Sequence, residues 1–333
     1  MKVLFLSEWY PSEKNPMAGI FVQKHVQAIV AQGAQVKVNT LWLDANIVQL
    51  NVITMKWGLV SLCLKYIFRI PYIIVEHWSA YLPQNGQFAR FPKWKQWLTR
   101  VIAENASGIY PVSQFLEANM KCHGLSNAVW GRMENVVDNF FFNKKTIVDD
   151  KSRKRLLHVS CFDDKPKNIK GLLRAVKIVS ESRKDFVLTL VGTGKDWQTC
   201  FDYAEKLHFP QGMLEWVGAC SPSEVSDYMH ISDAFLFFSR YETASVVLSE
   251  CLASGLPIVS SRAGAIPEIA TNESGVFVAV EDETAFASAV NYMLDHYKEY
   301  DRKKMQEDAL KFSFDSVGRK LMNVYTEVIA KRQ

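Results

Sequence analysis

Residues 234–275 read AFLFFSRYETASVVLSECLASGLPIVSSRAGAIPEIATNESG. Ala234 to Phe238 is a short apolar run between Asp233 and Ser239, as expected of a strand buried on both faces of a parallel sheet. A helix pattern follows from Ser245 to Ser254. There Val246, Val247, Leu248, Cys251, Leu252 and Ala253, set about 100° apart per residue, point nearly all round the axis, so the predicted helix is largely buried. Gly255 and Pro257 stop it. Glu250 is then a carboxylate with almost no wet face and no Lys or Arg at i±3 or i±4. Unpaired burial would cost several kcal/mol. A carboxylate accepts through two oxygens and suits the vicinal hydroxyls of a ribose, with a salt bridge to a residue distant in sequence as the alternative.

Glu242 stands at the predicted strand-to-helix turn, on the carboxyl edge where open α/β sheets hold ligands. Ser239-Arg-Tyr-Glu242 also fits a capping box, which would give Glu242 a structural task at the helix start. Glu242, seven residues, Glu250, then Cys251-Leu-Ala-Ser-Gly-Leu-Pro-Ile-Val and Gly264-Ala-Ile-Pro-Glu268 together resemble the signature of retaining, nucleotide-sugar-dependent glycosyltransferases of family four. The resemblance implies the GT-B fold and the following roles. Glu250 binds the donor ribose, Glu242 approaches the donor sugar, and backbone amides of Thr243, Ala244, Ser245 and Val246 meet sugar and phosphate. The family more often has a glycine-aromatic-glycine run in that interval.

The chain has 333 residues, 48% apolar and 22% charged, enough for two domains with separate cores. Six scattered cysteines without a C-x-x-C pair suggest neither zinc nor a disulfide framework, and fit a reducing cytoplasm. The N-terminal apolar run is too short for a signal-peptide core, and Lys65, Arg69 and Pro71 break up the apolar region Trp57 to Val75, read as a buried helix and a strand. Residues 1–140 carry 13 Lys/Arg against 8 Asp/Glu, whereas the remainder is nearly balanced. The excess favours an anionic acceptor. Arg90-Phe-Pro-Lys-Trp-Lys-Gln-Trp-Leu-Thr-Arg100 interleaves basic and aromatic residues and suits the headgroup level of a membrane, or else an ordinary amphipathic helix. A peripheral contact with the inner face of the cell membrane is therefore expected, and no nucleic-acid partner.

Along the first half, strands are predicted at Lys2–Ser7, Gln35–Trp42, Ile47–Ile53, Tyr72–Glu76, Gly108–Val112 and Ala128–Val137. Helices are predicted at Gly19–Gln32, Lys56–Phe68, Gln87–Ala106 and Ser113–His123. Gly19 ends a loop with two prolines (Glu8 to Ala18) and allows a phosphate or sugar oxygen to approach the backbone. Only about four residues separate the second and third strands, too few for a parallel crossover, so this half is expected to be trimmed and its sheet short of an element. Glu76-His77-Trp78 follows a strand end, and His77 resembles the family's active-site His. Asn135-Val-Val-Asp138 resembles its boundary motif. Residues Asn139 to Arg155 carry eight charges without periodicity, as a linker does.

Beyond the linker, strands Leu156–Ser160, Phe186–Gly192 and Leu214–Val217 alternate with helices Asn168–Ser182, Asp196–Leu207 and Pro222–Ile231, the pattern of a second doubly wound sheet. Helices Glu283–His296, Tyr300–Lys311 and Phe314–Lys331 close the chain. Gly192-Thr-Gly194-Lys-Asp-Trp197 has a tryptophan where a dinucleotide fingerprint needs its third glycine, which disfavours a nicotinamide cofactor and leaves a tight turn at Gly192 near a nucleobase. Lys165-Pro-Lys167-Asn-Ile-Lys170 places three ammonium groups before a helix, able to neutralise a diphosphate, or else a solvated loop. Lys167 matches the family's phosphate-binding Lys. Phe162 replaces the family's Arg, for which Lys165 is the available substitute. No Asp-x-Asp and no His pair with metal-ligand spacing occurs, so no metal and no cofactor are expected.

The reading is an α/β chain of two doubly wound Rossmann-like domains. Residues 1–138 form a trimmed acceptor-side domain, 139–155 a linker and 156–312 a nucleotide-sugar domain. The resemblance implies that the two face across a cleft and that helix 313–333 returns to the first. The expected activity is metal-independent, retaining hexosyl transfer from a UDP- or GDP-sugar to a glycan or lipid-linked acceptor in cytoplasmic cell-surface polysaccharide synthesis. Lys167, Glu242 and His77 take catalytic roles, and Glu250, Lys165, Gly192 and residues 243–246 hold the donor. A non-catalytic nucleotide-sugar-binding subunit and a nucleotide-sugar epimerase are the alternatives.

Overall fold

A computed structural model describes residues 1–13, 15, 18–143 and 153–331. The chain divides into two units, Met1–Val136 together with Lys311–Gln333, and Val137–Leu310. Each is built on its own parallel sheet, and each is Rossmann-like.

The first unit contains β1 (Lys2–Ser7), α1 (Ile20–Ala31), β2 (Gln35–Val38), β3 (Ile47–Asn51), α2 (Met55–Phe68), β4 (Tyr72–Glu76), α3 (Lys93–Asn105), β5 (Ile109–Pro111) and α4 (Gln114–Cys122). Its sheet has the order β2-β1-β3-β4-β5 with every pair parallel. β3 and β4 are buried throughout, which accounts for their unbroken apolar character. The C-terminal helix, Phe314–Ala330, packs on α1. Gly318 allows this approach, since a Cβ there would lie 2.7 Å from the Ala28 carbonyl oxygen. Val317 and Leu321 join the core of Phe5, Val22 and Ile29, and the Tyr325 hydroxyl donates to buried Gln49.

Four expectations for this unit are corrected. β2 and β3 do not pair but flank β1 on either side, both parallel to it, and β2 ends at Val38 rather than Trp42, so the crossover between them is longer than expected. Residues 39–46 return past β1 without a helix. The helix predicted from Gln87 starts at Lys93, because Pro92 has no N–H to continue it backwards and the Gln96 side chain donates to the Ala89 and Phe91 carbonyls instead. Residues 128–137 form no strand. Trp130 makes a single bridge to Ile109, and Gly131 is pressed on the Tyr110 ring, where a Cβ would lie 2.6 Å from it. Finally, α2 is not a buried helix, since Leu59, Tyr66, Ile67 and Phe68 are exposed.

The second unit contains β6 (Lys154–Val159), α5 (Asp164–Lys167), α6 (Ile169–Ser182), β7 (Phe186–Val191), α7 (Trp197–Lys206), β8 (Leu214–Gly218), α8 (Pro222–Ile231), β9 (Ala234–Phe237), α9 (Val246–Ala253), β10 (Ile258–Ser261), α10 (Ile266–Ile269), β11 (Gly275–Val278), α11 (Glu283–His296) and α12 (Arg302–Ala309). Its parallel sheet runs β11-β10-β9-β6-β7-β8, so the order reverses at β6, the first strand of this unit. Leu172, Val176, Phe186, Leu188, Leu236 and Phe286 belong to one buried core cluster. The expected linker 139–155 contributes a 3-10 turn at Asn139–Phe141 and the start of β6, while residues 144–152 of it lie outside the described residues. Of the first-half loop, residues 14, 16 and 17 also lie outside them.

Candidate functional site

The carboxyl ends of β6, β7 and β9 meet beside the order reversal of the second sheet, the crevice where such sheets take ligands. Asp163 caps the short helix α5, accepting from the Lys165 amide at 3.2 Å, and α5 delivers Lys167 to this edge. Lys167 Nζ donates to Glu242 Oε1 at 2.6 Å and lies 5.1 Å from the centre of the Phe237 ring. Ser239 Oγ donates to the same oxygen at 2.8 Å. Burial pulls the Lys167 pKa down, but Glu242, Cys161 and Asp163 outweigh it and leave the value above the ordinary one, so the ammonium stays charged. Both side chains are largely withdrawn from water, with 15% and 9% exposure.

The capping-box alternative for Glu242 is overturned. α9 begins at Val246 with Ser245 as its N-cap residue, and Ser239 spends its proton on the carboxylate. Glu242 is held from behind by the Gly264-Ala265 turn. The Ala265 amide donates to its carbonyl at 3.1 Å, and a Cβ on Gly264 would lie 2.2 Å from that oxygen. Arg240 ties the loop to α5, its amide donating to the Pro166 carbonyl at 2.7 Å and its Nη1 to the Asp164 carbonyl at 2.6 Å. Sequence reasoning missed Arg240 because its partners lie more than 70 residues upstream.

Ser245 Oγ is buried without a hydrogen-bond partner at the mouth of α9, and Thr243, Ala244 and Val246 are partly exposed beside it. Glu250 is also partly exposed, which corrects the premise of a carboxylate with no wet face. Gly192 has φ 125°, and a Cβ there would lie 2.0 Å from the Ser160 carbonyl oxygen. Gly194 is similarly pressed on Phe162. Trp197 stacks on Phe201 at 5.6 Å and meets Trp216 edge-on. Phe162, in the place of the expected arginine, is fully buried against Trp216, so no cation can stand there. Lys165 is exposed.

A second missed pair is His158 and Ser160. His158 Nδ1 faces the Leu236 carbonyl at 2.9 Å and therefore carries the proton, leaving Nε2 to accept from Ser160 Oγ at 2.8 Å. Burial lowers the His158 pKa to about 4, so this tautomer persists at neutral pH. The Ser160 hydroxyl can then only accept from a further partner.

In the first unit, His77 follows β4 and is partly exposed, but both ring nitrogens are buried and lack a partner at hydrogen-bonding geometry, with the Asn135 side chain alongside. Its ring lies 4.2 Å from Phe21 and 5.7 Å from His25. Burial, then His25, pulls its pKa well below the ordinary range, so it is a neutral imidazole. Glu76 beneath it accepts from the amides of Ile53, His77 and Trp78 at 2.9–3.0 Å. Burial nonetheless pushes Glu76 up to about 7. Gly19 opens α1 with φ 65°, and the oxygen that a Cβ would meet there, at 2.0 Å, is the Trp9 carbonyl of its own loop.

Residues 139–312 match the family described as Glycosyl transferases group 1. The chain belongs to this family. Among curated members it is 32% identical, over 153 residues, to N-acetyl-alpha-D-glucosaminyl L-malate synthase of Bacillus anthracis, a stretch covering 45% of this chain and 39% of that protein. Two solved structures share the fold along nearly the whole chain. Sucrose-phosphate synthase of Thermosynechococcus elongatus has a TM-score of 0.79 at 17% identity, covering 99% of both chains. Anabaena HepE in complex with UDP has a TM-score of 0.80 at 16% identity, covering 98% of this chain and 100% of that one. The glycosyl transferases group 1 match contains Lys165, Lys167, Gly192, Glu242, residues 243–246 and Glu250, while Gly19 and His77 lie outside it.

Proposed function

We propose that this chain moves a sugar from a nucleotide diphosphate sugar, UDP- or GDP-linked, to a glycan or lipid-linked acceptor, with retention at the anomeric carbon. The observation that carries the reading is the Lys167–Glu242 pair on the ligand edge of the second sheet, beside the open mouth of α9. A charged ammonium held there is suited to a departing diphosphate, and helix amides add favourable dipoles. Glu242 and neutral His77 position the sugar, Glu250 takes the ribose, and residues 243–246 with Lys165 line the diphosphate. The Gly192 turn lies by the base. The same fold in a UDP-bound protein supports a nucleotide donor. We place the reaction in cytoplasmic cell-surface polysaccharide synthesis, with no metal required.

The test is turnover of a UDP- and GDP-sugar panel by the purified full chain in EDTA, with the anomeric configuration of the product read by NMR. Lys167→Ala should lower kcat more than it raises KM, since charge develops on the diphosphate only in the transition state. An effect on KM alone would reduce Lys167 to a binding residue. One observation favours a second reading, a nucleotide-sugar-binding subunit without turnover: the arginine that would share the leaving-group charge is replaced by buried Phe162. Transfer by the chain alone excludes that reading.

A further inference from the structure

The first sheet winds in both directions from β1, and right-handed crossovers fix which face each connection covers. α1 links β1 to β2 on one face. Residues 39–46, α2 and α3 all run the other way and lie on the opposite face. Residues 39–46 form only bends and a turn, so the helix that would flank α2 in a fully covered sheet is missing. Leu41, in that return segment, is 69% exposed.

α2 beside this gap and α3 beyond it both expose large apolar side chains. Leu59, Tyr66, Ile67 and Phe68 on α2 and Trp94 and Trp97 on α3 are all large and exposed, the two tryptophans by 63% and 62%. α2 and α3 are neighbours, joined by Lys65 Nζ to the Asn105 carbonyl at 2.6 Å and by packing of Gly58 on Ile102. Tyr66 meets Asn105 at the C-terminal end of α3, whereas Trp94 and Trp97 stand in its first turns, so the two neighbouring helices expose apolar side chains at both ends of the pair rather than singly. The rim is mainly positive. Residues 54–105 have seven Lys/Arg against two acidic residues, Glu76, which is fully buried, and Glu104, which is exposed on α3 two turns after Trp97, while Asp44 in the return segment is paired with Lys2.

We infer that the α2–α3 face is a docking surface for an anionic lipid bilayer, with Trp94, Trp97 and Ile67 entering the headgroup layer and Lys56, Arg69 and Lys93 meeting lipid phosphates. Aromatic rings among lysines match the polarity gradient of that layer, and basic side chains gain from its negative surface potential. A second copy of the chain fits less well, because a two-fold pairing of this face would set like charges against each other. The surface stands independently of any sugar transfer.

The test is flotation of the full chain with vesicles of phosphatidylcholine alone and of phosphatidylcholine with 30% phosphatidylglycerol. The wild type should partition onto the anionic vesicles at least about tenfold better than onto the neutral ones. Trp94→Ala/Trp97→Ala and, separately, Arg69→Glu/Lys93→Glu should each reduce that partition about tenfold, with unchanged Tm. Ile178→Ala, an exposed apolar site on the second unit, should leave it unchanged. Absence of flotation, equal flotation of the variants, or a wild-type dimer in sedimentation that the tryptophan changes dissolve would each overturn the assignment. Donor turnover on a soluble acceptor, measured alongside, separates failure of this surface from failure of the catalytic reading.

Discussion

Glu242→Gln keeps the shape of the side chain and an oxygen for Ser239 but removes the charge opposite Lys167. With the pair at 2.6 Å and 15% and 9% exposed, the change strands an ammonium in a poorly hydrated site. Breaking a fully buried pair from one side costs about 3–5 kcal/mol, and the residual exposure here brings the expected loss to about 2–3 kcal/mol. For a unit of this size that is a fall in Tm of about 5–10 °C. Replacing both partners, Lys167→Met/Glu242→Gln, removes the stranded charge and should recover most of the loss, so a double-mutant cycle in urea should give a coupling of about 2 kcal/mol. A diphosphate supplies the missing negative charge. UDP or GDP should therefore raise the Tm of Glu242→Gln by at least as much as that of the wild type. A coupling under about 0.5 kcal/mol, the range of exposed ion pairs, would refute the account of the pair as a dry interaction.

Gly192→Ala should lower the stability of the second unit by more than about 2 kcal/mol in urea titration, because φ 125° and a Cβ contact of 2.0 Å with the Ser160 carbonyl oxygen both forbid the side chain. His158 has a folded pKa near 4 against an ordinary 6.5, so its contribution to stability is complete above pH 6.5 and is lost as pH falls toward 4. His158→Asn, which keeps a donor for the Leu236 carbonyl, should remove a slope of about 1.4 kcal/mol per pH unit in that window, read from urea midpoints of the second unit. In the first unit, His25 shifts to about 4 but Glu76 shifts up to about 7, and these have opposite signs. Protonated Glu76 favours the folded state as pH falls from 7 to 4.5, offsetting part of the loss from His25 and from His77, whose pKa is also lowered, so urea midpoints of the first unit should still fall with pH below 6.5.

The second unit was largely legible in sequence because its central strands β7, β9 and β10 are almost wholly buried and most of its helices are amphipathic, so period and length decide those elements. Ala234–Phe237 and Pro222–Ile231 are examples, the latter with a Ser221–Glu224 capping box. The first unit was less legible. Residues 128–137 have a strand's composition, but Gly131 rests on the Tyr110 ring and the chain leaves the sheet there, a tertiary fact no local pattern carries. The carboxylates of the site were legible as residue types at turns. Their partners were not, since Lys167 and Glu242 are 75 residues apart and Arg240 acts on carbonyls as far away.

The trimmed link between β2 and β3 connects these results. A short return saves a helix but leaves apolar side chains of α2 that nothing among the described residues covers. Natural sequences commonly answer such a loss with charge on the open face. Here α2 keeps Leu59, Ile67 and Phe68 exposed, and the charges appear toward its ends and on α3, all of them positive except Glu104. A mainly cationic rim opposes pairing of this face with a second copy of itself through like-charge repulsion. The same rim allows the centre to be buried when the facing surface is negative, which ties the missing helix to the chemistry of what the first unit meets.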